Sequence, residues 1–69
     1  MQTINLHING EPRQCQANLV LPTLLETLGM NPRLVAVEYN GDILHRQYWD
    51  ETYVKEGDRL EIVTIVGGG

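Results

Sequence analysis

The stretch that decides the fold is residues 59–66, which read Arg-Leu-Glu-Ile-Val-Thr-Ile-Val and are followed directly by three glycines. Its apolar and β-branched side chains are typical of a β-strand. Leu60 and Ile62 alternate with Glu61, a period of two that predicts one buried face and one outward face. The stretch therefore predicts a final strand that lies against the core of the domain.

The rest of the chain predicts two hairpins and one short helix. Asn9-Gly10 and Asn40-Gly41 are the strongest two-residue hairpin signals. Because Pro12 cannot donate a ladder hydrogen bond, the return strand of the first hairpin is expected at a sheet edge. In chain order, the predicted elements are a strand at 4–8, a strand at 13–17 with Cys15 facing inward, a helix at 21–28 capped by Gly29, strands at 34–39 and 42–45, an irregular stretch at 47–54 with room for one short helical turn, and the final strand at 59–66.

The order of these elements predicts the fold class. A short helix and a mixed sheet can bury their apolar faces only against each other. If the final strand lies between the first strand and the strand at 34–39, the first and final strands run parallel in the middle of the sheet. This is the single-domain α+β architecture of the β-grasp, or ubiquitin-like, fold: a mixed four- to five-stranded sheet packed on one short helix. The predicted core consists of Ile4, Leu6, Ile8, Leu21, Leu24, Leu25, Leu28, Val35, Val37, Leu60 and Ile62.

Chain length and charge narrow the possible functions. The chain has 69 residues, and a domain of this size buries only about 60% of its unfolded surface, which leaves little material for a deep catalytic pocket. Residues 36–69 carry the whole net charge of −4. This acidic half argues against nucleic acid as a partner. It is compatible with steering toward a basic protein partner or with solubility alone.

Other features of the sequence predict where in the cell the protein is located. No apolar run approaches the roughly 20 residues of a membrane span, and the first residues lack the pattern of a signal peptide. The single cysteine excludes an internal disulfide framework and multi-cysteine zinc modules. The sequence therefore predicts a cytoplasmic protein without a membrane partner.

The side chains offer poor catalytic material. His7 and His45 are far apart in the chain and too few for a metal site, which needs three or four convergent ligands. Cys15 is interpreted as a small inward-facing residue rather than a nucleophile. Trp49 and Tyr53 are expected to cover the open end of the sheet. These observations predict that the chain is not an enzyme and holds neither a metal nor a cofactor.

The last three residues are the part of the chain predicted to take part in a reaction. Glycine has no Cβ and the largest backbone freedom, so Gly67, Gly68 and Gly69 are predicted to form a flexible tail after a domain at residues 1–66. Such a thread can enter a narrow active site on another protein and present the Gly69 carboxylate, taken here as the natural carboxyl terminus. The alternative is a frayed terminus without a function.

An apolar surface is expected beside this tail. If Leu60 and Ile62 face the helix, then Val63 and Ile65 face outward from the final strand, next to Leu34 and Ala36 on the neighbouring strand. Exposed contiguous apolar surface usually marks a partner site, so these four residues are predicted to dock a partner protein. A shift of the register by one residue would exchange the two faces.

Several segments together resemble a known family. They are Leu24–Gly29, Val35–Glu38 with Asn40-Gly41, Arg46 with Trp49, Glu56-Gly57-Asp58, and Glu61-Ile62-Val63 before the three glycines. In order and spacing they resemble the ThiS family, the sulfur carriers of thiamin biosynthesis, over nearly the whole chain. One difference is the helix start, where the family usually has threonine or serine. Here Val20-Leu21-Pro22 offers no capping oxygen, so a slightly weaker helix start is expected.

The resemblance implies a cycle in which this protein is a substrate. An E1-like adenylating enzyme of the ThiF type would activate the Gly69 carboxylate with ATP, and a persulfide sulfur donor would displace AMP to give a thiocarboxylate. A thiazole synthase of the ThiG type would then take the sulfur into the thiazole ring. ATP would be bound by the adenylating enzyme and not by this chain. Two alternatives share the fold and the tail: a molybdopterin synthase small subunit-type sulfur carrier, and a ubiquitin-like protein modifier.

Overall fold

The computed structural model describes residues 2–65, which form a mixed five-stranded sheet with one short α-helix on one face. The elements in chain order are β1 (Thr3–Ile8), β2 (Glu11–Gln16), α1 (Leu21–Thr27), a first 3₁₀ helix (Pro32–Leu34), β3 (Val35–Tyr39), β4 (Asp42–Ile43), a second 3₁₀ helix (Arg46–Glu51) and β5 (Arg59–Thr64). The predicted extension of the final strand to Val66, and the predicted tail at 67–69, lie outside the described residues.

The strand order confirms the predicted β-grasp architecture. The order is β2-β1-β5-β3-β4, so β5 lies in the middle of the sheet between β1 and β3. β1 and β5 run parallel, and the other neighbouring strands are antiparallel. Pro12 lies in β2, which is an edge strand as predicted.

The two Asn-Gly turns form because both of their residues adopt left-handed backbone angles. Asn9 and Gly10 have φ of 53° and 83°, and Asn40 and Gly41 have φ of 52° and 94°. This combination fits the twist of the flanking strands and is favoured by Asn-Gly. The two turns fix the registers of β1 with β2 and of β3 with β4.

The start of α1 is held by the backbone of a distant segment. Val20 makes no side-chain cap, as its sequence predicts. Instead, the Leu21 N–H donates to the Thr52 carbonyl at 2.9 Å, and the Val54 N–H donates to the Leu19 carbonyl at 3.0 Å. The helix ends where Gly29 takes a φ of 81°.

The core lies between α1 and the inner face of the sheet. Nine of the eleven predicted core residues are buried, while Ile4 and Leu28 are only half-buried and pack at its margin. Two buried residues, Trp49 and Val54, were not predicted to belong to the core.

Two details of the sequence interpretation are wrong, and a third is confirmed in part. The short helical turn allowed for within residues 47–54 is present as a 3₁₀ helix at residues 46–51, which is longer than one turn. Leu34 ends the first 3₁₀ helix and does not begin β3. Trp49 and Tyr53 do not share one role at the end of the sheet, because Trp49 is only 4% exposed and belongs to the core, whereas Tyr53 is 54% exposed.

Within residues 2–65, no helix is long and apolar enough to cross a membrane.

Candidate functional site

The four residues predicted to dock a partner lie together, Ala36 and Val63 on the outer face of the sheet and Leu34 and Ile65 directly beside it. Ala36 and Val63 are direct cross-strand neighbours in the pairing of β3 with β5. Leu34 directly precedes β3 and Ile65 directly follows β5, so both lie at the same end of this strand pair. There the Ile65 N–H donates to the Leu34 carbonyl at 2.6 Å. All four side chains are exposed, and Val63 is 60% exposed. We call these four residues the apolar face; its role in docking stays a prediction.

The part of this surface formed by β4 was not predicted from the sequence. Ile43 is 70% exposed and lies opposite Glu38 in the pairing of β3 with β4. Counting back across the Asn40-Gly41 turn places Ile43 beside Glu38, so the signal was present in the sequence. Ile43 extends the apolar face across three adjacent strands.

A shallow depression of about 210 Å³ lies in this surface. Its lining consists of Ala36, Val37, Glu38, Ile43, Glu61 and Val63. The two carboxylates are thus set among apolar side chains. The surface therefore combines apolar side chains with two negative charges, a composition suited to contact with another protein.

Arg46 holds the segment that carries Leu34. Its guanidinium donates to the Pro32 carbonyl at 2.5 Å and to the Val35 carbonyl at 3.0 Å. The same group lies over the Trp49 ring, 4.5 Å from the ring centroid, and the Trp49 indole N–H donates to the Leu44 carbonyl at 3.0 Å. These contacts of Arg46 and Trp49 therefore fix the position of one end of the apolar face.

Asn9 holds β5 at a point where its neighbour β1 has ended. The parallel pairing of β1 with β5 covers only two residues of each strand and ends at Leu60. The Asn9 N–H then donates to the Leu60 carbonyl at 2.8 Å. The Asn9 side-chain amide bonds both backbone groups of Ile62: its Oδ1 accepts from the N–H at 2.7 Å, and its Nδ2 donates to the carbonyl at 3.2 Å. A side chain thus replaces the missing strand.

We expect Asn9→Ala to lower the free energy of unfolding by about 2–4 kcal/mol. It leaves two Ile62 backbone groups without partners, and it puts alanine, which disfavours left-handed angles, where asparagine tolerates a φ of 53°. Asn9→Gly is the matched variant, because it removes the amide but accepts the same backbone angle; its loss is expected to be smaller by about 1 kcal/mol. Urea denaturation measures both. If both variants unfold at the wild-type urea concentration, the amide does not hold β5.

Among residues 2–65, Asp58 is the one buried carboxylate, and its contacts are structural. Asp58 accepts hydrogen bonds from the Tyr39 hydroxyl, from Asn40 Nδ2 at 3.2 Å and from the Lys55 N–H at 2.7 Å. Burial raises the pKa of the Tyr39 hydroxyl well above its usual range, and the hydrogen bond to Asp58 and the charge of that carboxylate add to the effect. These contacts fix the turn that leads into β5.

The remaining candidates are not brought together. Cys15 pairs with Ile4 on the inner side of the first hairpin, and burial raises the pKa of its thiol, which disfavours the nucleophilic thiolate. His7 faces outward from β1, and His45 precedes the second 3₁₀ helix. Over the described part of the chain, no group of three or more His, Cys, Asp and Glu side chains is arranged to hold a metal ion.

Fold and surface define a class of protein: a β-grasp domain of the ubiquitin-like type, with an exposed apolar sheet face at the end of its central strand. Within that class, the model of the ThiS family matches residues 6–69. The chain belongs to the ThiS family, and the resemblance seen in its sequence is confirmed.

A solved structure and two curated relatives extend this finding. The crystal structure of the thiamine biosynthesis protein ThiS from Geobacter metallireducens superposes with a TM-score of 0.82 at 38% identity, covering 96% of this chain and 100% of that one. The sulfur carrier protein ThiS of Escherichia coli K12 is 30% identical over 61 residues, 88% of this chain and 92% of that protein. A thiazole synthase of Paramagnetospirillum magneticum is 42% identical over 66 residues, which are 96% of this chain but only 20% of that protein.

Proposed function

We propose that this protein is a sulfur carrier of thiamin biosynthesis. The observation that carries the proposal is the match over 96% of the chain to a solved thiamine biosynthesis protein ThiS, with the same fold and 38% identity. The sulfur would be carried as a thiocarboxylate on Gly69. The proposal includes a cytoplasmic location, and in it the chain binds no cofactor of its own.

The proposed chemistry explains why a second protein must act on the carboxylate. A free carboxylate is a poor electrophile, whereas an acyl-adenylate has AMP as a leaving group. In the proposed cycle, an E1-like adenylating enzyme joins the Gly69 carboxylate to the AMP part of ATP and releases pyrophosphate. A persulfide sulfur then attacks the acyl carbon and expels AMP, and a thiol cleaves the sulfur–sulfur bond to leave the thiocarboxylate.

The contribution of this chain to the cycle is recognition and delivery. The described residues bring together no catalytic set, and their carboxylate network around Asp58 is structural. The apolar face lies at the end of β5, which leads into the three glycines. We therefore assign the catalytic groups to the partners and the docking to Val63, Ile65, Leu34 and Ala36.

A thiazole synthase is the proposed recipient of the sulfur. A stretch similar to this chain forms about a fifth of the Paramagnetospirillum magneticum thiazole synthase. A second thiazole synthase, from Magnetococcus marinus, shows the same arrangement at 38% identity. Joining two proteins in one chain raises their effective concentration for each other, which supports the proposal that the separate proteins also act together.

The test is the intact mass of the protein after incubation with an adenylating enzyme, ATP and a sulfur source. The proposal expects a gain of about 16 Da, the difference between sulfur and oxygen. A ubiquitin-like modifier would instead form higher-mass conjugates through isopeptide bonds to lysine. A molybdopterin synthase small subunit would form a stable complex with a large catalytic subunit. No gain in mass, with an enzyme shown to be active on another carrier, would contradict the proposal.

A further inference from the structure

Two glutamates lie directly opposite each other on the exposed face of the sheet. Glu38 of β3 pairs with Glu61 of β5 in the antiparallel register, and both side chains face outward. Like charges directly opposite each other on neighbouring strands destabilise a sheet. The free protein therefore carries an unfavourable arrangement at the centre of its outer face.

The surroundings of this pair are apolar. Ile43 flanks Glu38 on β4, and Ala36 and Val63 form the next cross-strand row. The depression that these residues share has a volume of about 210 Å³. A cavity of about 150 Å³ is enough for a benzene molecule, so the depression has room for one large side chain of a partner.

Glu38 and Glu61 differ in their other neighbours. Arg59 lies on the same face of β5, and with His7 it lines a second depression that borders Glu61. Glu38 lies between Ile43 and Glu61, with no basic residue as its cross-strand neighbour. Glu38 is thus the carboxylate with the most to gain from a cation supplied by another molecule.

We infer that Glu38 and Glu61 together accept an arginine side chain of the adenylating enzyme, presented from an apolar surface that covers Ile43, Ala36 and Val63. This inference rests on the proposed function. A planar guanidinium bonds carboxylates through several N–H groups, is weakly hydrated and tolerates apolar surroundings better than an ammonium group does. Exclusion of water by the apolar rim strengthens the charge pairing. The two glutamates would then select the partner protein and fix its position on the sheet.

The inference predicts opposite changes in stability and binding. Glu38→Gln removes the repulsion, so the Tm of the free protein should rise by about 1–4 °C. The same variant should weaken binding to the adenylating enzyme by about tenfold or more, and binding should depend less steeply on salt. Glu61→Gln is expected to act in the same direction. Glu26→Gln is the matched control, because it makes the same charge change on the exposed side of α1.

The measurements are thermal unfolding of the free variants and titration calorimetry with the adenylating enzyme at several salt concentrations. Binding of Glu38→Gln with wild-type affinity overturns the inference. An equal loss in Glu38→Gln and Glu26→Gln also overturns it, because that result indicates general steering by charge. The proposed function is tested separately by the mass gain of the wild-type protein. Binding that depends on Glu38 without any mass gain would leave the docking pair standing and remove the sulfur-carrier function.

Discussion

Deletion of Gly69 is expected to abolish the gain of about 16 Da while the free energy of unfolding stays unchanged. The deletion moves the terminal carboxylate back by one residue, about 3.5 Å of extended chain. Reaction rates fall steeply when reacting atoms are displaced by as little as 1 Å, so the shortened chain should not be activated. Glycine has no side chain to bury, and stability should therefore be retained. Intact-mass spectrometry and urea denaturation measure the two effects.

A chain extended by one additional glycine is the matched control for this deletion. It keeps all residues of the protein and a terminal glycine carboxylate but displaces the carboxylate in the other direction. Both variants are expected to fail, because the partner requires the carboxylate at one position and not merely a terminal glycine. Activation of the shortened chain at the wild-type rate would show that the reacting group is not tied to Gly69. A large loss of stability on deletion would show that the tail packs on the domain.

Replacement of Trp49 by alanine is expected to lower the free energy of unfolding by about 3–5 kcal/mol. A domain of this size rarely has more than about 3–5 kcal/mol of stability, so the variant should be largely unfolded at 25 °C. The physical reason is the position of the indole, which is only 4% exposed, donates to the Leu44 carbonyl and carries the Arg46 guanidinium on its face. Far-UV circular dichroism during urea denaturation measures the change without relying on tryptophan fluorescence.

Two variants separate the contributions of Trp49. Trp49→Phe keeps an aromatic ring but loses the N–H donor to Leu44, and its loss is expected to be about 1–2 kcal/mol. Tyr53→Ala is the control for an exposed aromatic residue in the same region, since Tyr53 is 54% exposed, and it should stay within about 0.5 kcal/mol of the wild type. Unfolding of Trp49→Ala at the wild-type urea concentration would contradict its assignment to the core.

Most of the fold could be predicted because its signals are local. The Asn9-Gly10 and Asn40-Gly41 turns determine the registers of two strand pairs, and the alternation in β1, β3 and β5 determines which faces are buried. The order of the elements placed the final strand in the middle of the sheet, parallel to the first strand. The same alternation placed Leu34, Ala36, Val63 and Ile65 on one exposed surface.

The parts that could not be predicted depend on contacts between distant segments. Trp49 lies in a stretch without a clear period, and it is buried because the second 3₁₀ helix packs against α1. Nothing local in the sequence shows that the Asn9 amide bonds Ile62, 53 residues later in the chain. The pairing of Glu38 with Glu61 required the register of β3 with β5, which no turn between these two strands fixes.

The central claim is that the protein takes up sulfur and delivers it for thiazole synthesis, and intact mass follows both steps. The protein is first loaded with the adenylating enzyme, ATP and a sulfur source, then separated and incubated with thiazole synthase and its small-molecule substrates. We expect a gain of about 16 Da on loading, located at Gly69 by fragmentation, and a return to the original mass on delivery. A loaded protein that keeps its added mass in the presence of active thiazole synthase, or one that never gains it, would contradict the account.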